Sequence, residues 1–378
     1  MENKTKINTS AAAGDAATTS SHDSTKLSGC PVSCPVGDAS HDSTHAGGDT
    51  HGARGTACGA AVTGDAATTS SHDSTHFNLA DGDRKVTGKC GRGKLQPVIV
   101  GIGELLWDVL PSGKRAGGAP VNVVYHAGRL GAIGCAISAV GNDALGDELL
   151  RVMDNNSINY IVPRVAYPTG TVQVKLNEGT PTYDIVENVA WDFIPETNGA
   201  KAMIADADAI AYGTLASRNS VSRDTICHLL SSASEDTLKY YDINLRQSYY
   251  SKDLIVKMLE ISNILKINDD ELEIIRSMFG LDSMDDNSLA KWFMDKYHLK
   301  YFILTAGSRY STIYSDSEVS TIKTPKVEVV DSVGAGDSFS GAFLYSILSG
   351  ASLVEAHKKA VEIGAFVCEH AGAWPKYQ

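Results

Sequence analysis

Within eleven residues, Asp331-Ser-Val-Gly-Ala-Gly-Asp337-Ser-Phe-Ser-Gly341 joins a glycine-rich turn, a carboxylate and an incoming helix. Gly334 and Gly336 let the backbone turn tightly, so that the N–H groups around Ala335 converge on one point. The helix that follows directs the positive end of its dipole at the same point. Such a cradle suits a transferring phosphoryl group. A carboxylate at its mouth would be repelled by phosphate unless it takes a proton from an attacking hydroxyl, so Asp337 reads as a general base. The same string also reads as a plain strand-to-helix turn with Asp337 as a first-turn residue that the dipole favours.

Distant segments add to this chemistry. Asp108 in Gly103-Glu-Leu-Leu-Trp-Asp108 and Asn122 in Gly117-Gly-Ala-Pro-Val-Asn122 are short, rigid acceptors and donors of the kind that read vicinal hydroxyls. Gly117 and Gly118 remove side chains where a ring could approach the backbone, and Pro120 suits the first position of a helix. Asp242-Ile-Asn244-Leu-Arg246 alternates polar and apolar residues after a strand-like run, which would place its polar side chains on one face. Asn268-Asp-Asp-Glu271 reads as a helix start, with Asn268 as N-cap and Glu271 as its capping-box partner. It also stands at a strand's carboxyl end, where α/β proteins bind ligands.

The string from Asp331 to Phe343 resembles the signature of the ribokinase-like, or phosphofructokinase-B-type, sugar kinases, and the 103–124 region resembles the start of their fructokinase branch. The resemblance implies a three-layer α/β/α fold with a mainly parallel sheet and a small β lid from about 105–115 and 166–190. It implies that Asp337 deprotonates a sugar hydroxyl while the amides of Gly334, Ala335 and Gly336 hold the γ-phosphate of ATP. Asp108, Gly117, Gly118, Asn122 and Thr171 would face the sugar. Asn244 and Arg246 would flank the phosphate path, and Asn268 and Glu271 would position Mg²⁺-bound water and phosphate. Thr305-Ala-Gly307 is similar to the family's nucleotide-side turn, although Tyr310 stands where a second glycine is common. Asp331 would help hold a monovalent cation such as K⁺, and the lid allows a homodimer.

Stepwise alternation of β-like runs (98–102, 136–140, 209–213, 240–243) with helical runs (120–130, 143–154, 221–232, 251–261 and two more near the end) predicts a parallel sheet covered on both faces. Gly131, Gly280 and Gly350 suit left-handed helix stops. The apolar residues of 353–370 read as core rather than as contacts to adenine. Period-two alternation over 169–186, with Thr171, Gln173 and Lys175 against Val172, Val174 and Leu176, predicts a hairpin outside the main sheet.

Residues 1–94 form a different region from the kinase-like 95–378. Gly-Asp-Ala-Ala-Thr-Thr-Ser-Ser-His-Asp-Ser-Thr occurs at 14–25 and again at 64–75, and few large apolar side chains lie near either copy. Such composition cannot offset chain entropy by burial, so a disordered segment is expected. Its cysteines lack the spacing of a metal quartet, and seven cysteines without a framework suit a reducing compartment. The start of the chain has no apolar core of a secretory signal, and no run could span a membrane, leaving the cytoplasm as the expected compartment. A net charge of −12 disfavours nucleic-acid and membrane partners and requires any anion site to be made locally.

The 117–122 loop resembles fructokinases more than the Gly-Lys-Gly-Ala-Asn pattern of ribokinases, which implies conversion of fructose to fructose 6-phosphate. Ribokinase or another ketose or nucleoside kinase, and an inactive kinase-like regulator, stand as alternatives. Deleting residues 1–75 should leave the melting temperature and turnover of the kinase-like region unchanged, because the repeats offer no periodic apolar face. Parallel melting and turnover measurements on the two chains check this, and a large loss in either would make the repeats part of the machine.

Overall fold

The computed structural model describes residues 96–111, 113–177 and 180–377, so the expected disordered segment lies outside the described residues. Val98–Ile102 forms β1, fully buried as a central parallel strand must be. Leu106–Leu110 (β2) and Gly113–Gly117 (β3) pair as a hairpin leading into α1, Ala119–Leu130. Then come β4 (Ile133–Ile137), β5 (Val140–Gly141), α2 (Ala144–Asn155), β6 (Asn159–Ile161), β7 (Arg164–Val165) and the hairpin of β8 (Gly170–Asn177) with β9 (Thr180–Ile185). Regular alternation follows, through α3 (Asn198–Ala205), β10 (Ala209–Gly213), α4 (Ser220–Ser232), β11 (Leu238–Asp242), α5 (Lys252–Glu260) and β12 (Ile264–Asn268). The rest comprises α6 (Asp269–Phe279), α7 (Asp286–Tyr297), β13 (Tyr301–Thr305), β14 (Tyr310–Tyr314), β15 (Val319–Lys323), α8 (Ala335–Leu348) and α9 (Leu353–Cys368).

The main sheet has nine strands in the order β15-β14-β13-β12-β11-β10-β1-β4-β6. All pairs from β6 to β13 are parallel, and β14 and β15 add an antiparallel edge. Alternate residues of each strand feed two cores. On one face, Val100 and Ile102 of β1 pack with Met203, Ile226, Ile255, Leu272 and Phe293 from α3 to α7. On the other, Ile99 packs with Val124, Leu149, Phe339, Phe343 and Ile363 from α1, α2, α8 and α9. This is the expected three-layer α/β/α arrangement. No helix among the described residues is long and apolar enough to cross a membrane.

A separate sheet, ordered β3-β2-β8-β9, is the expected lid, with β2 and β8 parallel and both hairpins antiparallel. Two expectations shift. The strand expected at 136–140 is β4, ending at Ile137, because Ser138 leaves the sheet and donates its hydroxyl to the Gly103 carbonyl at 2.6 Å. The polar alternation expected through Arg246 ends with β11 at Asp242, since Asn244 turns the chain with a φ of 39°. Gly131 and Gly280 cap α1 and α6 in the left-handed region as expected, and Gly350, with a φ of 89°, follows the end of α8.

The junction of lid and core depends on Gly118, the N-cap of α1, whose φ is 129°. A Cβ there would lie 2.0 Å from the Glu104 carbonyl oxygen. Both the dihedral and the contact exclude a side chain, so Gly118→Ala should lower the unfolding free energy by roughly 1–3 kcal/mol. Urea unfolding of the two proteins checks it, and equal midpoints would show that the junction yields without cost.

Candidate active site

Asp337 lies half-buried in the first turn of α8, whose N-cap Gly334 adopts a φ of 81° and provides no side-chain cap. The first-turn amides around Ala335 and Gly336 therefore keep an end free of side-chain acceptors, as an anion cradle requires. The Asn122 amide Nδ2 donates to Asp337 Oδ2 at 2.7 Å, bringing together two expected site residues 215 positions apart. Burial, with a smaller contribution from Asp242, pushes the Asp337 carboxyl up to about 6, against the hydrogen bond from Asn122 and the charges of Lys266 and Arg246.

Behind this turn lies a pair that sequence reasoning missed. Lys266 Nζ donates to Asp242 Oδ2 at 2.7 Å, and both side chains are about nine-tenths buried. The two residues stand in register on β12 and β11. A Cβ on Gly336 would lie 3.3 Å from Lys266 Nζ, so the ammonium borders the cradle. Burial works against that ammonium, but Asp242, Asp337 and Glu271 outweigh it and hold its pKa above the usual lysine value. The only sequence signal was a lone lysine within an apolar strand.

On the lid, Asp108 of β2 stands opposite Arg115 of β3 and beside Val172 of β8. Burial pushes Asp108 up to about 6, opposed by Arg246 and Arg115. A Cβ on Gly117 would lie 3.1 Å from Asp108 Oδ2, which keeps space open beside the carboxylate. Thr171 is not brought to Asp108. It stands in register with Trp107, so it shares the opposite face of the lid sheet.

Arg246 is exposed, and its charge acts on Glu104, Asp108 and Asp337 alike. Glu104 is a second missed residue. Its Oε1 accepts from the Ala119 amide at 3.2 Å, while buried Oε2 has no partner among the described residues, and burial raises its pKa. Its place just after β1, at a strand's carboxyl end, was the usable signal. Asn268 and Glu271 form the reciprocal capping box of α6, at 2.8 and 3.0 Å. Glu271 Oε1 also accepts from the Leu245 amide at 2.8 Å, which ties the cap to the loop that carries Asn244 and Arg246. Thr305 pairs with Asn268 across β13 and β12, and Gly307 turns the chain with a φ of 53° towards Tyr310, the first residue of β14.

Asp331 does not present the open carboxylate that a cation site needs. Its Oδ2 accepts from Arg115 at 2.5 Å and from the Gly372 amide at 3.0 Å, and Oδ1 accepts from the Val333 amide at 3.1 Å. These donors outweigh burial and hold its pKa below the usual value. The chain itself supplies the positive partner, so the residues do not fit a bound K⁺ at this carboxylate. Phosphate fits better at α8, whose N-terminal turn has no side-chain cap and borders Lys266, although the Ala335 amide there donates to the Ser332 carbonyl at 3.3 Å. Among the described residues no three His, Cys, Asp or Glu side chains are grouped so that they could hold a metal ion together.

The model of the pfkB family of carbohydrate kinases matches residues 109–376. A fructokinase of Rhizobium leguminosarum bv. trifolii is 28% identical over 269 residues, covering 66% of this chain and 79% of the relative. An ATP-dependent 6-phosphofructokinase of Thermoanaerobacterium thermosaccharolyticum is 27% identical over 297 residues, covering 73% and 89%. In fold, the chain is similar to a Xylella fastidiosa fructokinase solved with bound ATP, at a TM-score of 0.65 and 19% identity, covering 74% of this chain and 94% of that one.

The Asp337 value of about 6, against the ordinary 3.8, means that the native state holds this proton to higher pH than the unfolded chain does. Ionisation therefore costs native stability, a penalty absent below about pH 4 and complete above about pH 6. Asp337→Asn should be more stable than the unsubstituted protein at pH 8, by on the order of 1–3 kcal/mol, with the gain vanishing towards pH 4. Denaturant unfolding at the two pH values measures it, and a pH-independent difference would contradict the assigned burial cost.

Proposed function

Because this chain belongs to the pfkB family of carbohydrate kinases, we propose that it moves the γ-phosphoryl group of ATP to the 6-hydroxyl of D-fructose, giving D-fructose 6-phosphate and ADP. The observation that carries this reading is Asp337 at the mouth of the uncapped α8 N-terminus, hydrogen-bonded to Asn122. In its ionised form Asp337 takes the hydroxyl proton, the sugar oxygen bonds to the γ-phosphorus, and the bond to the β–γ bridging oxygen breaks. The α8 dipole, the amides of Ala335 and Gly336, and the Lys266 ammonium face the charge that develops on the phosphoryl oxygens. Arg246 provides a further cation among the carboxylates.

Asp108, Gly117, Gly118 and Asn122 form the sugar side of the proposal, with Asp108 reading a hydroxyl beside the space that Gly117 leaves. Thr171 belongs to the lid face away from Asp108 and is given no sugar contact. Thr305 and Gly307 provide the nucleotide-side turn. Mg²⁺ supplies charge neutralisation on the phosphates. Asn268 and Glu271 act one layer back, because Glu271 Oε2 accepts from the Asn268 N–H in the α6 cap and Oε1 accepts from the Leu245 N–H. Fructose as acceptor is supported by the fructokinase relative and by the 117–122 loop.

An ADP-release assay with ATP and Mg²⁺ across fructose, ribose, glucose, tagatose and adenosine tests the substrate, with the highest kcat/KM expected on fructose. On that sugar, Asp337→Asn should lower kcat by roughly 10²–10⁴ while the fold survives, since asparagine keeps the shape but cannot take the proton. Preference for another acceptor would replace fructose, turnover on none would favour a regulatory role, and near-unchanged turnover of the asparagine variant would remove Asp337 as base.

A further inference from the structure

After α9, residues 372–377 fold back as a strap along α1 and the turn before α8. Tyr125 donates its hydroxyl to the Pro375 carbonyl at 2.6 Å, and the two ring nitrogens of His126 meet Tyr377 Oη at 2.8 Å and the Ala373 carbonyl at 2.9 Å. The Trp374 ring stacks on Tyr125, with centroids 5.8 Å apart. At Gly334 a Cβ would lie 2.8 Å from that of Ala373, so the strap also bounds the anion turn.

Another of the strap's bonds reaches the proposed reacting centre. Trp374 Nε1 donates to Asn122 Oδ1 at 2.7 Å, and Asn122 Nδ2 donates to Asp337 Oδ2 at 2.7 Å. An indole N–H can only donate, so the atom facing it must be the amide oxygen. The amide's NH₂ group is then left towards Asp337, where an ionised carboxylate can only accept. Without the indole N–H, the amide could rotate and present its oxygen to the carboxylate, which repels it.

We infer that Trp374 is a positioning residue for phosphoryl transfer: its indole N–H orients Asn122 so that the amide N–H stays on the Asp337 carboxylate. This rests on the reading of Asp337 as the base. A hydrogen bond to the ionised form favours that form, so losing it moves the acid limb of the kcat profile to higher pH. The other groups acting on Asp337 are Asp242 and Tyr240 of β11, Lys266 of β12, Arg246 after β11 and Glu104 before β2, and none is altered by a change at Trp374.

The test is the pH profile of kcat for three variants, each with a melting curve. Trp374→Phe keeps an aromatic ring against Tyr125 while removing the indole N–H together with the rest of the pyrrole ring, so its melting curve reports the packing lost with them. At pH 6 its kcat should fall roughly 3- to 10-fold below that of the unsubstituted protein, with most of the deficit recovered by pH 8. Trp374→Met, which also lacks an N–H and fills irregular space, gives the same reading should the phenylalanine variant not fold. Tyr125→Phe removes a strap bond without touching Asn122 and should lower the melting temperature while leaving the acid limb in place. An unmoved acid limb in Trp374→Phe, with Asp337→Asn inactive, overturns this inference alone. An active Asp337→Asn overturns it together with the reading on which it rests.

Discussion

The buried Lys266–Asp242 pair sets the electrostatic conditions for everything above it. On this face of the sheet Asp242, Glu271 and Asp337 converge, and Lys266 is the cation acting on all three. Removing one member of a buried pair costs about 3–5 kcal/mol because the other charge is left uncompensated. Here the uncompensated charge would lie beneath Gly336, at the wall of the anion cradle. Register pairing on adjacent parallel strands makes the pair available, since it places residues 242 and 266 side by side facing α8. The sheet therefore brings a positive charge to the proposed phosphate site in a chain whose net charge is −12.

Contacts to the lid are weaker by design of their exposure. Arg115–Asp331 joins β3 of the lid to the loop before α8, but the arginine side chain is 43% exposed. An ion pair so wet contributes about 0–1 kcal/mol. The core side of the same loop is held differently, by the Val333 and Gly372 amides on the Asp331 carboxylate. The anion turn thus keeps its shape through backbone donors, whereas the lid is tied to it by a bond that solvent can replace.

Much of this was legible in the sequence where the signal is local. The 331–341 string carries its left-handed turn and its first-turn carboxylate within one helix start, and Asn268 with Glu271 forms the capping box that their spacing indicates. The Gly117–Gly118 pair reads in the sequence as room for a ring, and the close approach that the structure shows there is to the chain's own Asp108 carboxylate and Glu104 carbonyl. What was missed acts across distance. Trp374 reaches Asn122 over 252 positions and Arg115 reaches Asp331 over 216, and no period or spacing encodes such a pair. Alternation gives the strand of Thr171 two faces without saying which is shared with Asp108, and the parallel register of β2 with β8 puts the two residues on opposite faces. Asn244 was carried along an alternation that the chain leaves at Asp242.

A site built from acids has to solve two opposed requirements. The proposed base must be ionised to accept a proton, yet the phosphoryl group it faces is anionic, and Asp242 already pushes Asp337 towards its protonated form. The arrangement separates the two by direction. Lys266 and the α8 amides lie on the cradle side of Asp337, while Asn122 contacts its carboxylate from α1. Each donor can then stabilise negative charge without neutralising the base. Burial raises the value to about 6 rather than higher because Asn122, Lys266 and Arg246 oppose it together. The proposed base would thereby be ionised at neutral pH and still basic enough to take a hydroxyl proton as the oxygen bonds to phosphorus.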